Sequence, residues 1–292
     1  MKIGDSLNNM EDKGRPIIIA VFLLCLSMIV LIAVGIIQKF IGMNLLGQFF
    51  SVIALLISFV LIGKIVFNVN YSGLFKEIKL SKCDCMDNLL ITMFLSSVFA
   101  LISILIYHID FMINPDKIKS IGYFIKTATS DNNYTNSSLD MLALIIIISI
   151  GVAAEEIFFR YTAYKIFVKK KEDIKIFIIL ISIVFGLYHF SSISRFIETL
   201  VLSIFLSIIY VMTKSVVYAF ISHALWDCVT VISSVFMVYF KDINTSMFVG
   251  QGIIAEIIMI FLLVVLSIYS YCKRGHILSL NIRNKIHSIK NI

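Results

Sequence analysis

The sequence predicts an all-α, polytopic integral membrane protein with about eight transmembrane helices. Of its 292 residues, 60% are hydrophobic and only 15% are charged, and the mean hydropathy is +0.99. Soluble domains carry about 25% charged residues, so this composition is typical of a membrane protein. Long apolar runs, with no strand-like alternation of useful length, indicate that the spanning elements are helices.

Eight apolar runs have about the length of a membrane-spanning helix, which needs roughly 20 mainly apolar residues. Both prolines, Pro16 and Pro115, lie at the edges of these runs, where they do not break a helix. The predicted spans are residues 16–38, 45–69, 88–110, 140–164, 174–190, 196–213, 215–240 and 249–272.

The distribution of lysine and arginine predicts the orientation of the chain, because cytoplasmic segments carry an excess of these residues. With eight spans and a cytoplasmic N-terminus, 18 of the 25 fall on the cytoplasmic side and six on the other, while Arg160 lies inside a helix. We therefore expect both termini in the cytoplasm. The many isoleucine, lysine and asparagine residues suggest an AT-rich bacterial genome, and hence the bacterial plasma membrane.

The basic loops also explain the net charge of +7 and the pI of about 9.1. Lysine-rich cytoplasmic loops face anionic lipid headgroups, which is a simpler explanation than binding to nucleic acid. We therefore expect the lipid bilayer as a partner and no nucleic acid.

Two adjacent glutamates, Glu155 and Glu156, lie inside the fourth predicted span. A charged side chain at membrane depth costs about 2.5–3.5 kcal/mol on insertion scales, and such residues usually serve chemistry or transport. Glu156 and Arg160 are four residues apart, so they share a helix face and can form an ion pair. Glu155 points about 100° away around the helix, where it can meet neighbouring helices.

Three more polar residues lie in other predicted spans. His189 ends the fifth run, and His223 and Asp227 lie four residues apart in the seventh run, on one helix face. Intramembrane charges usually face a shared cavity. We therefore expect these three residues to converge with Glu155 between the fourth, fifth and seventh spans.

Each of these residues also has a structural interpretation. A single buried histidine is often only hydrogen-bonded to a neighbour, and a histidine–aspartate pair can join two helices. A glutamate–arginine pair can be purely structural, and we expect this mainly for Glu156 and Arg160. Three other acidic residues near predicted helix ends are expected to be interfacial or structural: Asp110, Glu198 and Glu256.

The residue types fit hydrolysis of a peptide bond. A carboxylate and an imidazole that share one water act as a general base, and a second imidazole can stabilise the oxyanion formed from an amide carbonyl. The same four groups, Glu155, His189, His223 and Asp227, can instead hold zinc or another divalent metal that lowers the pKa of a bound water. The sequence leaves both mechanisms open.

The ordered motifs resemble the CPBP family of intramembrane proteases. This family includes the type II CAAX prenyl endopeptidases, bacteriocin-processing and immunity membrane proteins, and the Abi group. The motifs in this chain are Glu155-Glu156-Ile157-Phe158-Phe159-Arg160, Phe185-Gly186-Leu187-Tyr188-His189 and His223-Ala224-Leu225-Trp226-Asp227.

The resemblance implies an eight-helix intramembrane protease with a CPBP-like catalytic core. It implies that Glu155 and His189 activate the water and that His223 and Asp227 line the oxyanion side. Glu156 and Arg160 would support them. The helices at 140–240 fit the family core of four transmembrane helices. The predicted spans place an N-terminal three-helix region with a polar loop at 1–139 before it, and a final helix with a basic tail at 241–292 after it.

One position departs from part of the family. Some members carry asparagine where this chain has Asp227. An amide can donate a hydrogen bond to an oxyanion, whereas an ionised carboxylate cannot. Asp227 would therefore be protonated, orient His223 or bind a metal.

Three functional hypotheses follow. The first is an intramembrane endopeptidase, a metalloprotease if the metal is present, that cleaves a precursor peptide or a membrane-anchored protein. The second is a non-catalytic immunity or adaptor protein that retains the polar core. The third is a proton-coupled transporter, although the inverted repeats and interrupted helices typical of transporters are not visible.

Overall fold

The computed structural model of the protein describes residues 14–41, 45–78, 85–113 and 138–239, together with a few single positions between 261 and 269. These residues form helices and contain no β-strand, which confirms the predicted all-α class. The elements are α1 (Arg15–Ile41), α2 (Leu45–Ile65), α3 (Ser72–Ile78), α4 (Cys85–Ile113), α5 (Ser138–Glu156), a π-helical segment (Ile157–Thr162), α6 (Ala163–Phe167), α7 (Asp173–Tyr188), α8 (Ile193–Thr213) and α9 (Val216–Tyr239).

Within the described residues, five helical stretches are long and apolar enough to cross a membrane. They correspond to the first, second, third, fourth and sixth predicted spans. The seventh span corresponds to α9, whose described apolar part is Val216–Cys228. The eighth predicted span, most of the polar loop and the basic tail lie outside the described residues. The limits of the three proposed regions remain predictions.

The fifth predicted span is α7, which is short for a spanning helix. Its 16 residues extend for about 24 Å, whereas the hydrocarbon core is about 30 Å thick. α7 begins beside three exposed charged residues that belong at the membrane surface, Lys170, Lys171 and Glu172. By this length α7 is about 6 Å shorter than the hydrocarbon core, so we expect the turn at 189–192 to lie just inside the membrane.

Aromatic packing fixes the rotation of the π-helical segment that follows the two glutamates. Phe158 and Phe159 are fully buried. Phe158 stacks on Phe59 of α2 with ring centroids 4.2 Å apart, and Phe159 meets Phe185 of α7 edge to face at 5.2 Å. Each such pair contributes about 0.5–1.5 kcal/mol beyond its burial. Neither ring can rotate away without losing these contacts.

Gly186 allows α7 and α8 to pack closely beside this cluster. A Cβ at position 186 would lie 3.0 Å from two ring carbons of Phe196 and 3.2 Å from the Cβ of Leu200. Small residues at helix interfaces in membranes allow this close approach. The two helices are joined by the turn that contains His189, so their packing also positions that imidazole.

Buried hydroxyl groups line the contact between α4 and α9. Ser96 and Ser222 are hydrogen-bonded through their Oγ atoms at 2.6 Å. Thr92 and Ser96 also donate to the backbone carbonyls of Asn88 and Thr92, one turn earlier in α4. Because Ser222 precedes His223, this contact places the histidine at a defined depth in the bundle.

Candidate active site

The structure brings together four side chains that the sequence distributes over three predicted spans. Glu155 lies in the last turn of α5, His189 caps the end of α7, and both His223 and Asp227 lie in α9. Glu155 Oε1 is 3.7 Å from His189 Nε2, and its Oε2 is 4.0 Å from His223 Nε2. His223 Nε2 is also 3.7 Å from Asp227 Oδ2.

Glu155 and His189 form the partly accessible side of this cluster. Their side chains are 14% and 20% exposed, and 3.7 Å is too long for a direct hydrogen bond. Both atoms are therefore available to a shared water. His189 Nδ1 lies 3.1 Å from the carbonyl oxygen of Phe185 and can donate to it. That tautomer turns the lone pair of Nε2 toward Glu155.

His223 is held from its other side by Glu156. Its Nδ1 lies 2.8 Å from Glu156 Oε1, and both side chains are buried. An ionised carboxylate only accepts hydrogen bonds, so the Nδ1–H of His223 is the donor. Nε2 then faces Glu155 and Asp227. A carboxylate that fixes the tautomer and ring orientation of a histidine in this way is a common supporting arrangement.

The expected pair between Glu156 and Arg160 is also present. Glu156 Oε2 is 3.3 Å from Arg160 Nε, and both side chains are 0% exposed. The guanidinium donates from Nη2 to Ser203 Oγ at 3.1 Å and lies over the ring of Phe185 at 4.7 Å. Glu156 thus bridges a fixed cation and His223, so its place in the site is more central than a separate ion pair.

Two contacts of this supporting layer were not found by reasoning from the sequence. The hydrogen bond of Glu156 with His223 joins residues 67 positions apart, and no local spacing signals it. The sequence contains one weak indication of the Ser203 contact: Ser203 and Ser207 lie four residues apart in an apolar helix, and so on one helix face. Both serines are buried in the structure. Only the packing of α8 against the π-helical segment reveals which of them meets Arg160.

Asp227 lies on the open side of the cluster. Its side chain is 33% exposed and its Oδ2 is 3.7 Å from His223 Nε2. Glu156 contacts the Nδ1 of His223, so Asp227 faces the other nitrogen of the same imidazole. The turn at 189–192 borders the same side of the cluster, and irregular backbone at membrane depth is tolerated where it lines a water-containing cavity.

An apolar cavity adjoins Glu156 between α5 and α9. Its volume is about 270 Å³, within the range of a large side chain and slightly below typical small-molecule pockets. Apart from Glu156, it is lined by apolar residues of α3, α5, the π-helical segment and α9: Leu74, Ala153, Ile157, Val216, Val217 and Phe220.

The same geometry bears on the metal alternative. In the ranges that the structure describes, no group of three or more His, Cys, Asp or Glu side chains is arranged to hold a metal ion. Two ligands of a tetrahedral zinc lie about 3.4 Å apart, whereas the donor atoms here are 3.7–4.0 Å apart. These side chains, in the positions that the structure gives them, do not fit a metal site. The binding of zinc or another divalent ion stays a prediction from the sequence.

Together, the apolar helices and this buried cluster define a class: an all-α integral membrane protein with a carboxylate–imidazole centre inside the bundle. A family model described as Type II CAAX prenyl endopeptidase Rce1-like matches residues 137–229. This match supports the resemblance to the CPBP family that the motifs indicated, and the matched segment contains Glu155, Glu156, Arg160, His189, His223 and Asp227. The match supports a CAAX-type intramembrane protease in general. No curated protein and no solved structure matches the chain.

Proposed function

We propose that this protein is an intramembrane endopeptidase that hydrolyses a peptide bond of a precursor peptide or membrane-anchored protein with a water activated by Glu155 and His189. The single observation that carries the proposal is the position of Glu155. Its two oxygens lie 3.7 Å and 4.0 Å from the Nε2 atoms of two different histidines, in a partly accessible site inside an apolar bundle.

The first step is activation and attack. A water between Glu155 and His189 gives a proton to this pair while its oxygen forms a bond with the scissile carbonyl carbon. The carbonyl oxygen becomes an oxyanion. His223, as an imidazolium, donates through Nδ1 to Glu156 and through Nε2 to that oxyanion.

The second step is collapse of the tetrahedral intermediate. The C–N bond breaks, and the proton held by Glu155 and His189 passes to the leaving amine. The products are a free carboxyl group and a free amino group, and the site returns to its starting state. Asp227, on the open face, is assigned to orient the imidazole of His223 and the incoming peptide. No step requires a metal.

The substrate is proposed to be a peptide with apolar residues beside the scissile bond. The cavity next to Glu156 has an almost entirely apolar lining, so burial of an aliphatic side chain there would be favourable by about 1.5–3 kcal/mol. The proposed location is the bacterial plasma membrane with both termini in the cytoplasm.

A cleavage assay in proteoliposomes tests the proposal. Wild-type protein is incubated with prenylated and leader-type peptides, beside Glu155→Gln, His189→Ala and the exposed-surface control Glu172→Gln. General-base removal lowers kcat by about 10²- to 10⁴-fold, so both site variants should lose cleavage while the control keeps it. Equal cleavage by wild-type and Glu155→Gln protein would refute the proposed roles.

The same assay addresses the alternatives. Chelator treatment and metal analysis of the purified protein test whether a divalent metal contributes. If no peptide is cleaved and a cellular phenotype survives Glu155→Gln, the adaptor or immunity hypothesis replaces the protease. Proton-coupled uptake lost in Glu155→Gln would instead favour the transporter.

A further inference from the structure

A small cavity lies where the start of α1 meets the segment between α6 and α7. Its volume is about 140 Å³, which is below the range of typical small-molecule pockets. Its wall includes Arg15 and Ile19 of α1, Phe167 at the end of α6 and Ile176 of α7. The cavity shares no lining residue with the apolar cavity beside Glu156, so it is a separate feature of the fold.

Arg15 brings a buried guanidinium to the wall of this cavity. The residue is only 7% exposed, and its Nη2 donates to the backbone carbonyl of Ile166 at 2.7 Å. Its Nε is buried and has no hydrogen-bond partner among the described residues. The carboxylate of Asp173, which also lines the cavity, accepts instead from the backbone N–H groups of Lys169 and Lys170 at 2.9 Å and 3.0 Å. A buried cation held mainly by a neutral carbonyl favours an anionic ligand, because an unpaired buried charge is unfavourable.

The charges around the cavity predict the class of ligand. The segment 170–173 contributes one lysine ammonium and two carboxylates to the wall, so together with Arg15 the wall holds two positive and two negative side chains. A ligand with one phosphate and one ammonium group matches this balance better than a purely anionic ligand. A guanidinium binds phosphate oxygens through paired N–H groups. A primary ammonium has three N–H donors for carboxylates, whereas a trimethylated ammonium has none.

The surroundings of the cavity identify a membrane lipid as the source of such a ligand. Arg15 begins a helix long enough to span the membrane, and the cavity lies at the expected cytoplasmic surface, where lipid headgroups are found. Ile176 lines the cavity and is itself partly exposed. Ile179 and Ile183 continue the same exposed face of α7 at helical spacing, and we call these three residues the isoleucine row. A headgroup in the cavity would leave its acyl chains along this row.

We propose that this cavity binds the headgroup of a phospholipid that carries a primary ammonium. The phosphate pairs with Arg15, the ammonium contacts Asp173, and the acyl chains lie along the isoleucine row. The cavity is large enough for the headgroup but not for the chains, which stay in the bilayer. The bound lipid would join the start of α1 to the start of α7. The proposal does not depend on the protease function, because none of these residues takes part in the proposed mechanism.

The test measures lipid binding to the purified full chain by native mass spectrometry from detergent. Phosphatidylethanolamine, phosphatidylcholine and phosphatidylglycerol with identical acyl chains are compared. A fourth ligand, soluble glycerophosphoethanolamine, has the ethanolamine headgroup without acyl chains. The proteins are wild type, Arg15→Gln, Asp173→Asn and the control Lys171→Gln. Lys171 is an exposed cation of the same segment that does not line the cavity, so its variant controls for loss of positive charge.

A charge-assisted hydrogen bond contributes enough to change affinity by about tenfold to a hundredfold. Wild-type and Lys171→Gln protein should bind phosphatidylethanolamine tighter than the other two lipids by this factor. Arg15→Gln should weaken the binding of phosphatidylethanolamine by a similar factor, because the phosphate loses its partner. Asp173→Asn keeps an oxygen for the two backbone N–H groups but loses its charge, so it should bind phosphatidylethanolamine and phosphatidylcholine alike.

The other outcomes each overturn a part of the proposal. Equal binding of the three lipids by the wild type, or tighter binding of phosphatidylglycerol, refutes the predicted headgroup. Binding that is unchanged in Arg15→Gln, or a preference that survives in Asp173→Asn, refutes the assigned contacts. Soluble glycerophosphoethanolamine bound as tightly as the lipid would show a site for free phosphate esters instead. If Arg15→Gln does not fold, the comparison between wild type and Asp173→Asn decides alone.

Discussion

At the scale of single residues, Glu156 has two partners that depend on one another. It accepts from His223 Nδ1 at 2.8 Å and faces Arg160 Nε at 3.3 Å, in a fully buried position. The Glu156 carboxylate lies between a guanidinium and an imidazole, so its loss removes the anionic partner that Arg160 and His223 share. The orientation of the His223 imidazole thus depends on the buried carboxylate of Glu156.

Removal of that carboxylate should be more damaging than removal of the whole ion pair. Breaking one side of a buried pair costs about 3–5 kcal/mol, because the remaining charge is uncompensated, whereas an apolar replacement of the pair is often close to neutral. We therefore expect Glu156→Gln to unfold more readily in detergent than the double variant Glu156→Gln/Arg160→Met. A double variant less stable than Glu156→Gln would contradict this explanation.

A residue outside the spans gives a prediction for pH. Burial raises the pKa of Glu77 in α3 above its ordinary value of 4.5, while Lys165 and the hydroxyl of Tyr210 partly offset this rise. A carboxyl group whose pKa is higher in the folded protein loses folding stability as the pH rises from that ordinary value through the raised value.

Glu77→Gln should consequently raise the thermal unfolding midpoint relative to wild type at pH 7, and the difference should vanish near pH 4. Thermal scans of both proteins between these pH values measure it. Glu172→Gln, at an exposed position, is the control for a general loss of negative charge. A constant difference across the range would show that the titration of Glu77 is not responsible.

At the scale of the elements, the contact between α7 and α8 positions the turn that carries His189. Gly186 is the point of closest approach, with Phe196 against it. The π-helical segment performs the equivalent task for α5, because its buried rings hold the two glutamates in a fixed rotation. π-helical turns inside α-helices occur frequently at functional sites.

A pair of alanine substitutions separates packing from helix propensity. Gly35 lies in the middle of α1 with nothing within 4 Å of its missing Cβ, so Gly35→Ala should gain the roughly 1 kcal/mol of helix propensity. Gly186→Ala gains the same helix propensity, but its new methyl group crowds Phe196, and such overpacking costs about 1–3 kcal/mol. Unfolding measurements should find Gly186→Ala the less stable of the two; equal stability would show that α8 adapts freely.

At the scale of the whole molecule, the arrangement combines long spans with one short helix, α7. Among the described residues, five helical stretches have the length to cross a bilayer, and the shorter α7 packs mainly against α8 and α1. The outer face of α7 is exposed at Ile176, Ile179 and Ile183. The end of α7 therefore brings His189 to Glu155 at the edge of the bundle, where both side chains are partly exposed.

The orientation predicted from the charged residues can be tested directly. Lys64 and Lys170 are expected on the cytoplasmic side and Lys39 on the opposite side. In a background with the native cysteines replaced, a membrane-impermeant maleimide added to intact cells should label Lys39→Cys, and only broken cells should allow labelling of Lys64→Cys and Lys170→Cys. The reverse pattern would invert the topology.

Much of the site could be predicted from the sequence because intramembrane charges are rare and costly. That cost singles out Glu155, Glu156, Arg160, His189, His223 and Asp227 from a background of apolar residues. The spacing of four between Glu156 and Arg160 predicted their ion pair, which the structure contains. The involvement of Ser203 and Ser96 was not predicted, since buried serines are common in membrane helices and become specific only through their partners.

The sequence by itself determined the all-α membrane class, most of the spans and the residues that can carry chemistry, because these follow from local composition and helical periodicity. Only the tertiary structure decided that Glu156 contacts His223, that the end of α7 brings His189 to Glu155, and that Arg160 meets Ser203 of α8. These three results depend on the rotation and depth of helices that are distant in sequence. Such quantities are set by side-chain packing between helices, which a one-dimensional pattern does not contain.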